Sequence, residues 1–182
     1  ILIRCSHART MTDKPVMSQP RRNYALAWAI GLIVVAVLVT FSPLVRCSFT
    51  DWDDQDTIWS NPHMKPATWS SVGYYWTHAE GELYIPVTYT VWAALARIAP
   101  LRGAGGVPSP NPAVFHAANI IIHLIAAIVG LFLLRRLIGN TWAACAGALL
   151  FALHPLQTEP VAWASGTKDV LCGMFVLIAL WR

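Results

Sequence analysis

From Tyr24 to Val45 the chain runs for 22 residues without a charged side chain. At 1.5 Å per residue a helix of that length reaches about 33 Å, enough to cross a hydrocarbon core of about 30 Å. A cleaved signal peptide is the rival reading. Its apolar region is only about 7–15 residues long, followed by a small-residue cleavage site, and this run exceeds it. An uncleaved first membrane helix is therefore expected. Composition agrees: 12% of the 182 residues are charged, about half the roughly 25% of a soluble domain.

Three more apolar runs follow. Ala113 to Leu134 is a second full-length span, closed by Arg135-Arg136 and a tight turn at Gly139-Asn140. Leu137 to Leu153 is expected as a third, shorter span ending at His154-Pro155. After a polar loop, Val170 to Leu180 begins a fourth helix. Between the first two spans lies a long polar, aromatic stretch, residues 46–112. Inside it, Leu83 to Ala96 is uncharged but only 14 residues long, too short to span, so an interfacial or re-entrant helix is expected with Pro86 in its first turn. Arg102 to Pro112 reads as a flexible connector. The expected fold class is all-α: a multi-pass transmembrane helical bundle with a large first outer loop carrying interfacial helices.

Ten residues precede the first Met, Met11, and the chain stops at Trp181-Arg182 inside an apolar run. The expectation is a fragment: residues 1–23 as a basic cytoplasmic tail with upstream translated sequence, and residues 24–182 as the N-terminal part of a polytopic membrane domain. Arg4, Arg9, Lys14, Arg21 and Arg22 stand before the first span against a single Asp13. Basic residues abutting a span mark the cytoplasmic side, so this cluster points to topology rather than to nucleic acid. Arg135-Arg136 belongs on that side as well. The loops at residues 46–112 and 154–168 then share the outer face, and eight of the nine acidic residues lie in or beside them. The four cysteines show no CxxC or Cys/His spacing, which argues against structural zinc and a disulfide framework.

Asp51-Trp52-Asp53-Asp54-Gln55-Asp56 puts four carboxylates into six positions directly after the first span. Carboxylates this close repel, which favours a bound cation or service as a base; a solvated acidic loop is the alternative. His116, Asn119 and His123 share one face of the second span at i, i+3, i+7. In lipid such a stripe must face protein or a water-filled cavity, and helix–helix hydrogen bonding is the simpler use. His154, Glu159 and Lys168 can supply an acid/base pair and a phosphate-binding cation, or only cap helices and pair charges. Trp59, Trp69, Trp76, Trp92 and Trp163 are expected to be interface anchors.

The ordered motifs Trp52-Asp53-Asp54, Tyr84-Ile85-Pro86-Val87-Thr88, His116-Ala117-Ala118-Asn119 with His123, His154-Pro155-Leu156-Gln157-Thr158-Glu159-Pro160 and Lys168-Asp169-Val170-Leu171 resemble those of one family. It is the tetratricopeptide-repeat-containing transmembrane O-mannosyltransferases and their bacterial relatives, similar to GT-C fold glycosyltransferases, and the resemblance covers roughly residues 41–182. It implies a sugar donor on a polyprenyl-phosphate carrier and a hydroxyl acceptor, protein Ser/Thr among the candidates. It also implies a site on the non-cytoplasmic face of a cytoplasmic membrane, or of the endoplasmic reticulum in a eukaryote. Asp53 or Asp54 is then the expected base, with His116, Asn119, His123, His154, Glu159 and Lys168 lining the substrate cavity. Asp53 and Asp54 can instead hold a divalent metal through oxygen ligands; no other cofactor is implied. Ile85, Gln157 and Thr167 stand where many relatives carry a basic residue. A non-catalytic membrane anchor for downstream repeats is the alternative function, with a transporter third.

Overall fold

The structure, a computed structural model, describes residues 19–81, 83–102 and 106–182. Most of the expected basic tail, with Cys5, lies outside the described residues. Helix α1 (Gln19–Phe41) continues as a 3-10 turn over Ser42–Arg46, and α4 (Pro112–Ile138) and α7 (Thr167–Trp181) are the other long helices. Three stretches are long and apolar enough to cross a membrane: Tyr24–Arg46, Pro112–Ile138 and Ala164–Trp181. The all-α multi-pass bundle is the fold observed. The connector between residues 102 and 112 includes a small antiparallel pairing of β1 (Leu101–Arg102) with β2 (Pro108–Ser109).

The ends of α4 follow from local chemistry. Asn111 accepts a hydrogen bond from the Ala113 N–H at the start, and Pro112 occupies the first turn, where its missing N–H costs nothing. Gly139 ends the helix at φ 75°, a left-handed conformation that suits glycine. Asn140 then caps α5 (Thr141–Ala152) by accepting from Trp142 and Ala143.

Here the expected third span needs correcting. Leu137 and Ile138 finish α4, so α5 keeps only 12 residues, about 18 Å and well short of the hydrocarbon core. Beyond Ala152 the chain goes on as short turns, Pro155–Gln157, α6 (Thr158–Ala162) and Ala164–Gly166. Of these, α6 and the Ala164–Gly166 turn pack against α4.

The polar stripe on α4 makes that irregular segment possible. Backbone that leaves a helix at membrane depth must find partners in protein. The His123 Nε2–H donates to the Ala152 carbonyl at 2.9 Å, which fixes the tautomer, because a carbonyl only accepts. Asn119 Nδ2 donates to the Trp163 carbonyl at 2.7 Å, and its Oδ1 accepts from the Thr167 hydroxyl at 2.6 Å. Asn119→Leu removes two hydrogen bonds at once, leaving the Trp163 carbonyl only the Gly166 N–H and the Thr167 hydroxyl only the Ala164 carbonyl. It is expected to cost about 1–3 kcal/mol, read as a lowered thermal midpoint in detergent; an unchanged midpoint would show that these bonds do not hold the segment.

Two cores result. In the membrane portion Ala29, Ile33, Val37 and Phe41 form an i, i+4 stripe on α1, facing Ala144, Cys145, Ala148 and Ala152 of α5. Small residues on one side let the backbones approach closely. The 46–112 loop has its own core, where α2 (Trp69–Thr77) packs on α3 (Pro86–Arg97). Tyr75 stacks on Tyr89 at 4.2 Å and Tyr89 meets Trp92 edge-on at 5.1 Å. Trp92 is fully buried. It is a core residue and not the interface anchor expected, whereas Trp69 and Trp76 are exposed. Phe115 of α4 joins this core with Phe49 and ties the 46–112 loop to the bundle.

Candidate functional site

Thr50–Asp54 leaves the first span and leads into a helical turn at Gln55–Trp59. The neighbouring carboxylates Asp53 and Asp54 point to different surroundings. Asp54 is fully buried. Its Oδ1 accepts from the Ser165 N–H at 2.7 Å, and its Oδ2 accepts from Thr50 N–H at 3.1 Å and Ala164 N–H at 3.3 Å. Burial alone disfavours the charged form, but the amide donors of Ser165 and Thr50 outweigh it, so the Asp54 carboxyl sits below the usual carboxylate value. A depressed folded value means the stabilisation is complete above about pH 4 and is lost as pH falls through the folded value.

The bonds to Ala164 and Ser165 join residues more than a hundred positions apart, so the 46–112 loop and the 154–168 segment meet at one end of the bundle. Asp53, by contrast, is exposed. It lines a cavity of about 430 Å³ with Asp56, Glu80, Tyr89, Trp92 and Lys168. It also lines a second, of about 230 Å³, with Glu159, Trp163, Ser165 and Lys168. Lys168 is half-buried, with its Nζ 3.3 Å from the Ser165 carbonyl and 3.6 Å from Asp169 Oδ2. It further lines an apolar groove of about 230 Å³ with Ile85, Val87, Leu171, Cys172 and Phe175. Asp53, Glu159 and Lys168 are therefore brought together around shared space, with Lys168 lining both cavities and the apolar groove.

The remaining sequence candidates are placed differently. His154 is exposed and accepts from the Leu156 N–H through Nδ1, capping a short turn. Asn119 and His123 are buried and committed to backbone partners. His116 is buried too, and neither of its ring nitrogens has a hydrogen-bond partner. Thr167 is fully buried and bonded to Asn119 and the Ala164 carbonyl, whereas Ile85 lines the apolar groove.

A divalent metal does not fit the Asp53–Asp54 pair. Both oxygens of Asp54 are already engaged by N–H donors, and among the described residues no three His, Cys, Asp or Glu side chains are arranged to hold an ion. Sequence reasoning missed Glu80, Tyr89 and Trp92 as cavity residues. Burial, with Glu80 adding repulsion, raises the Tyr89 hydroxyl to about 12, so it stays protonated at neutral pH. Trp92 carries an indole N–H without a partner. Nothing local marked Glu80; its placement depends on the α2–α3 turn.

No family model matches the chain, and no solved structure matches it. Curated proteins do. Mouse protein O-mannosyl-transferase TMTC1 is 29% identical over 166 residues, covering 88% of this chain and 17% of its own length. Human TMTC2, also named a protein O-mannosyl-transferase, is 31% identical over 138 residues, covering 71% of this chain and 15% of its own. Human TMTC4 is 27% identical over 175 residues, 84% of this chain and 22% of its own. The chain thus spans less than a quarter of the length of these relatives.

Proposed function

This chain is a homologue of the protein O-mannosyl-transferases of the TMTC group, and from that premise we propose that it forms the acceptor-activating part of a glycosyltransferase site. The donor is a sugar on a polyprenyl-phosphate carrier, mannose by the relatives' names, and the acceptor is a protein Ser/Thr hydroxyl. The site faces the non-cytoplasmic side of the membrane, a placement supported by the basic residues Arg135 and Arg136 at the far end of α4.

The observation that carries this reading is that Asp53 and Lys168 line the same two cavities while Lys168 also lines an apolar groove. Asp53 accepts the proton of the acceptor hydroxyl as its oxygen bonds to the anomeric carbon. The bond from that carbon to the carrier phosphate breaks, and the phosphate leaves with the electron pair. Lys168 stabilises the developing negative charge. The groove beside Leu171 and Phe175 suits the carrier's isoprenoid chain, which keeps the phosphate at the level of the ammonium group. Asp169, 3.6 Å from the ammonium nitrogen, and the Ser165 carbonyl orient Lys168.

The test is mannose transfer from polyprenyl-phosphate mannose to a Ser/Thr peptide, by membranes containing the full-length protein. Lys168→Met preserves the packing of the stem and removes the charge. Loss of one such electrostatic contact is expected to lower transfer by about 10²-fold, with a raised KM for the carrier. Full activity in Lys168→Met would remove the phosphate-binding role, and absence of transfer by the wild-type protein would favour the membrane-anchor reading.

A further inference from the structure

We propose that Asp54 is a positioning residue: it ties the Thr50–Asp54 segment to the Ala164–Ser165 turn and so holds Asp53 and Lys168 around one cavity. The inference rests on the reading of Asp53 as the base, and it separates two adjacent carboxylates that the sequence leaves equivalent.

A base must present a lone pair to its substrate. Asp54 has 0% exposure and directs both oxygens at three backbone donors. A proton arriving on Oδ1 would face the Ser165 N–H, 2.7 Å away, so proton uptake breaks the contact that holds the carboxylate. The turn it grips has no slack. A Cβ at Gly166 would stand 2.3 Å from the Pro160 carbonyl oxygen, and Thr167 is pinned to Asn119 from the opposite side. Lys168 is the next residue, and its Nζ folds back on the Ser165 carbonyl. Asp53 is the residue before the clamp at its other end. The Asp54 carboxylate is therefore the shortest noncovalent link between the two side chains that share the cavity, and removing it frees the loop and the turn to move independently.

Two measurements on the full-length protein test this. In the first, Asp53→Cys and Lys168→Cys are combined, with Cys5, Cys47 and Cys172 changed to Ser, and a short thiol-to-thiol cross-linker is applied in membranes. Adding Asp54→Asn is expected to lower the cross-linking yield several-fold; an unchanged yield overturns the proposal whatever the enzyme does. In the second, Asp54→Asn in the otherwise native protein is expected to keep measurable mannose transfer. Its KM for the carrier rises, and its pH profile keeps an acid limb, because the carboxylate assigned as the base is still present. Loss of transfer as complete as in Asp53→Asn, with the acid limb abolished, makes Asp54 the base and overturns the proposal. Should Asp54→Asn not accumulate, Asp54→Glu keeps the charge and shifts it by one methylene. Reduced cross-linking is expected there too, and wild-type cross-linking overturns the idea.

Discussion

Asp53→Asn is expected to reduce sugar transfer by about 10²–10⁴-fold, the usual contribution of a positioned general base, while leaving the protein folded. Asp53 is exposed and makes no side-chain bond to the rest of the fold among the described residues, so an amide of the same shape fits without strain. Nearby carboxylates supply the control. Asp56 and Glu80 line the larger of the two cavities but not the smaller one beside Glu159, and Asp56→Asn or Glu80→Gln should change transfer by less than about tenfold. Transfer assays with purified carrier-linked mannose distinguish these outcomes, and thermal unfolding confirms equal stability. An active Asp53→Asn would remove the base from the scheme.

Gly166→Ala should be the most destabilising single-methyl change in the outer half of the molecule. The added Cβ would lie 2.3 Å from the Pro160 carbonyl oxygen, 2.9 Å from its carbon and 3.0 Å from Pro160 Cα. All three are backbone atoms, so no side-chain rotation relieves the contact. Overpacking of this kind costs about 1–3 kcal/mol, and the shift passes to Asp54 through Ser165 and to Asn119 through Thr167. The expected result is a clearly lower thermal midpoint together with weakened transfer, because Lys168 follows directly. Gly173→Ala is the comparison: nothing lies within 4 Å of a Cβ there, and its midpoint should stay close to wild type. Equal midpoints for the two variants would mean that the turn is not tightly held.

Much of the bundle was legible because membrane helices declare themselves by length and lack of charge. The runs Tyr24 to Val45 and Ala113 to Leu134 correspond to the helices seen, with ends set by Asn111, Pro112 and Gly139. The segment after Gly139 was misjudged for a physical reason. Apolar composition from Leu137 to Leu153 says that the residues avoid water, not where the helix stops, and α4 claimed the first two of them. The His116, Asn119, His123 stripe announced a polar partner inside the bundle. It did not announce that for Asn119 and His123 the partner would be carbonyls of irregular backbone.

The candidate site was legible to the level of segments. Asp53, Glu159 and Lys168 were named from the sequence, but the difference between Asp53 and Asp54 was invisible there. Two identical neighbours diverge only because Ala164 and Ser165, far along the chain, present N–H groups to one of them. Trp92 was misread for a similar reason. A tryptophan beside a membrane favours the interface on average, yet this one is enclosed by Tyr89 and the α2–α3 packing.

The whole account depends on the first outer loop and the 154–168 segment opening onto the same aqueous space outside the cytoplasm. Cysteines introduced one at a time at positions 53 and 168, each in a protein whose Cys5, Cys47 and Cys172 are replaced by Ser and whose buried Cys145 is kept, can be probed with a membrane-impermeant maleimide on sealed, right-side-out vesicles, or on inverted ones if the protein resides in an internal membrane, against the same background without the introduced cysteine. Both positions should label without permeabilisation, and a cysteine at Arg136 should label only after it. Labelling of 53 and 168 from opposite sides, or of both only after the membrane is opened, would contradict a shared outer site for sugar transfer.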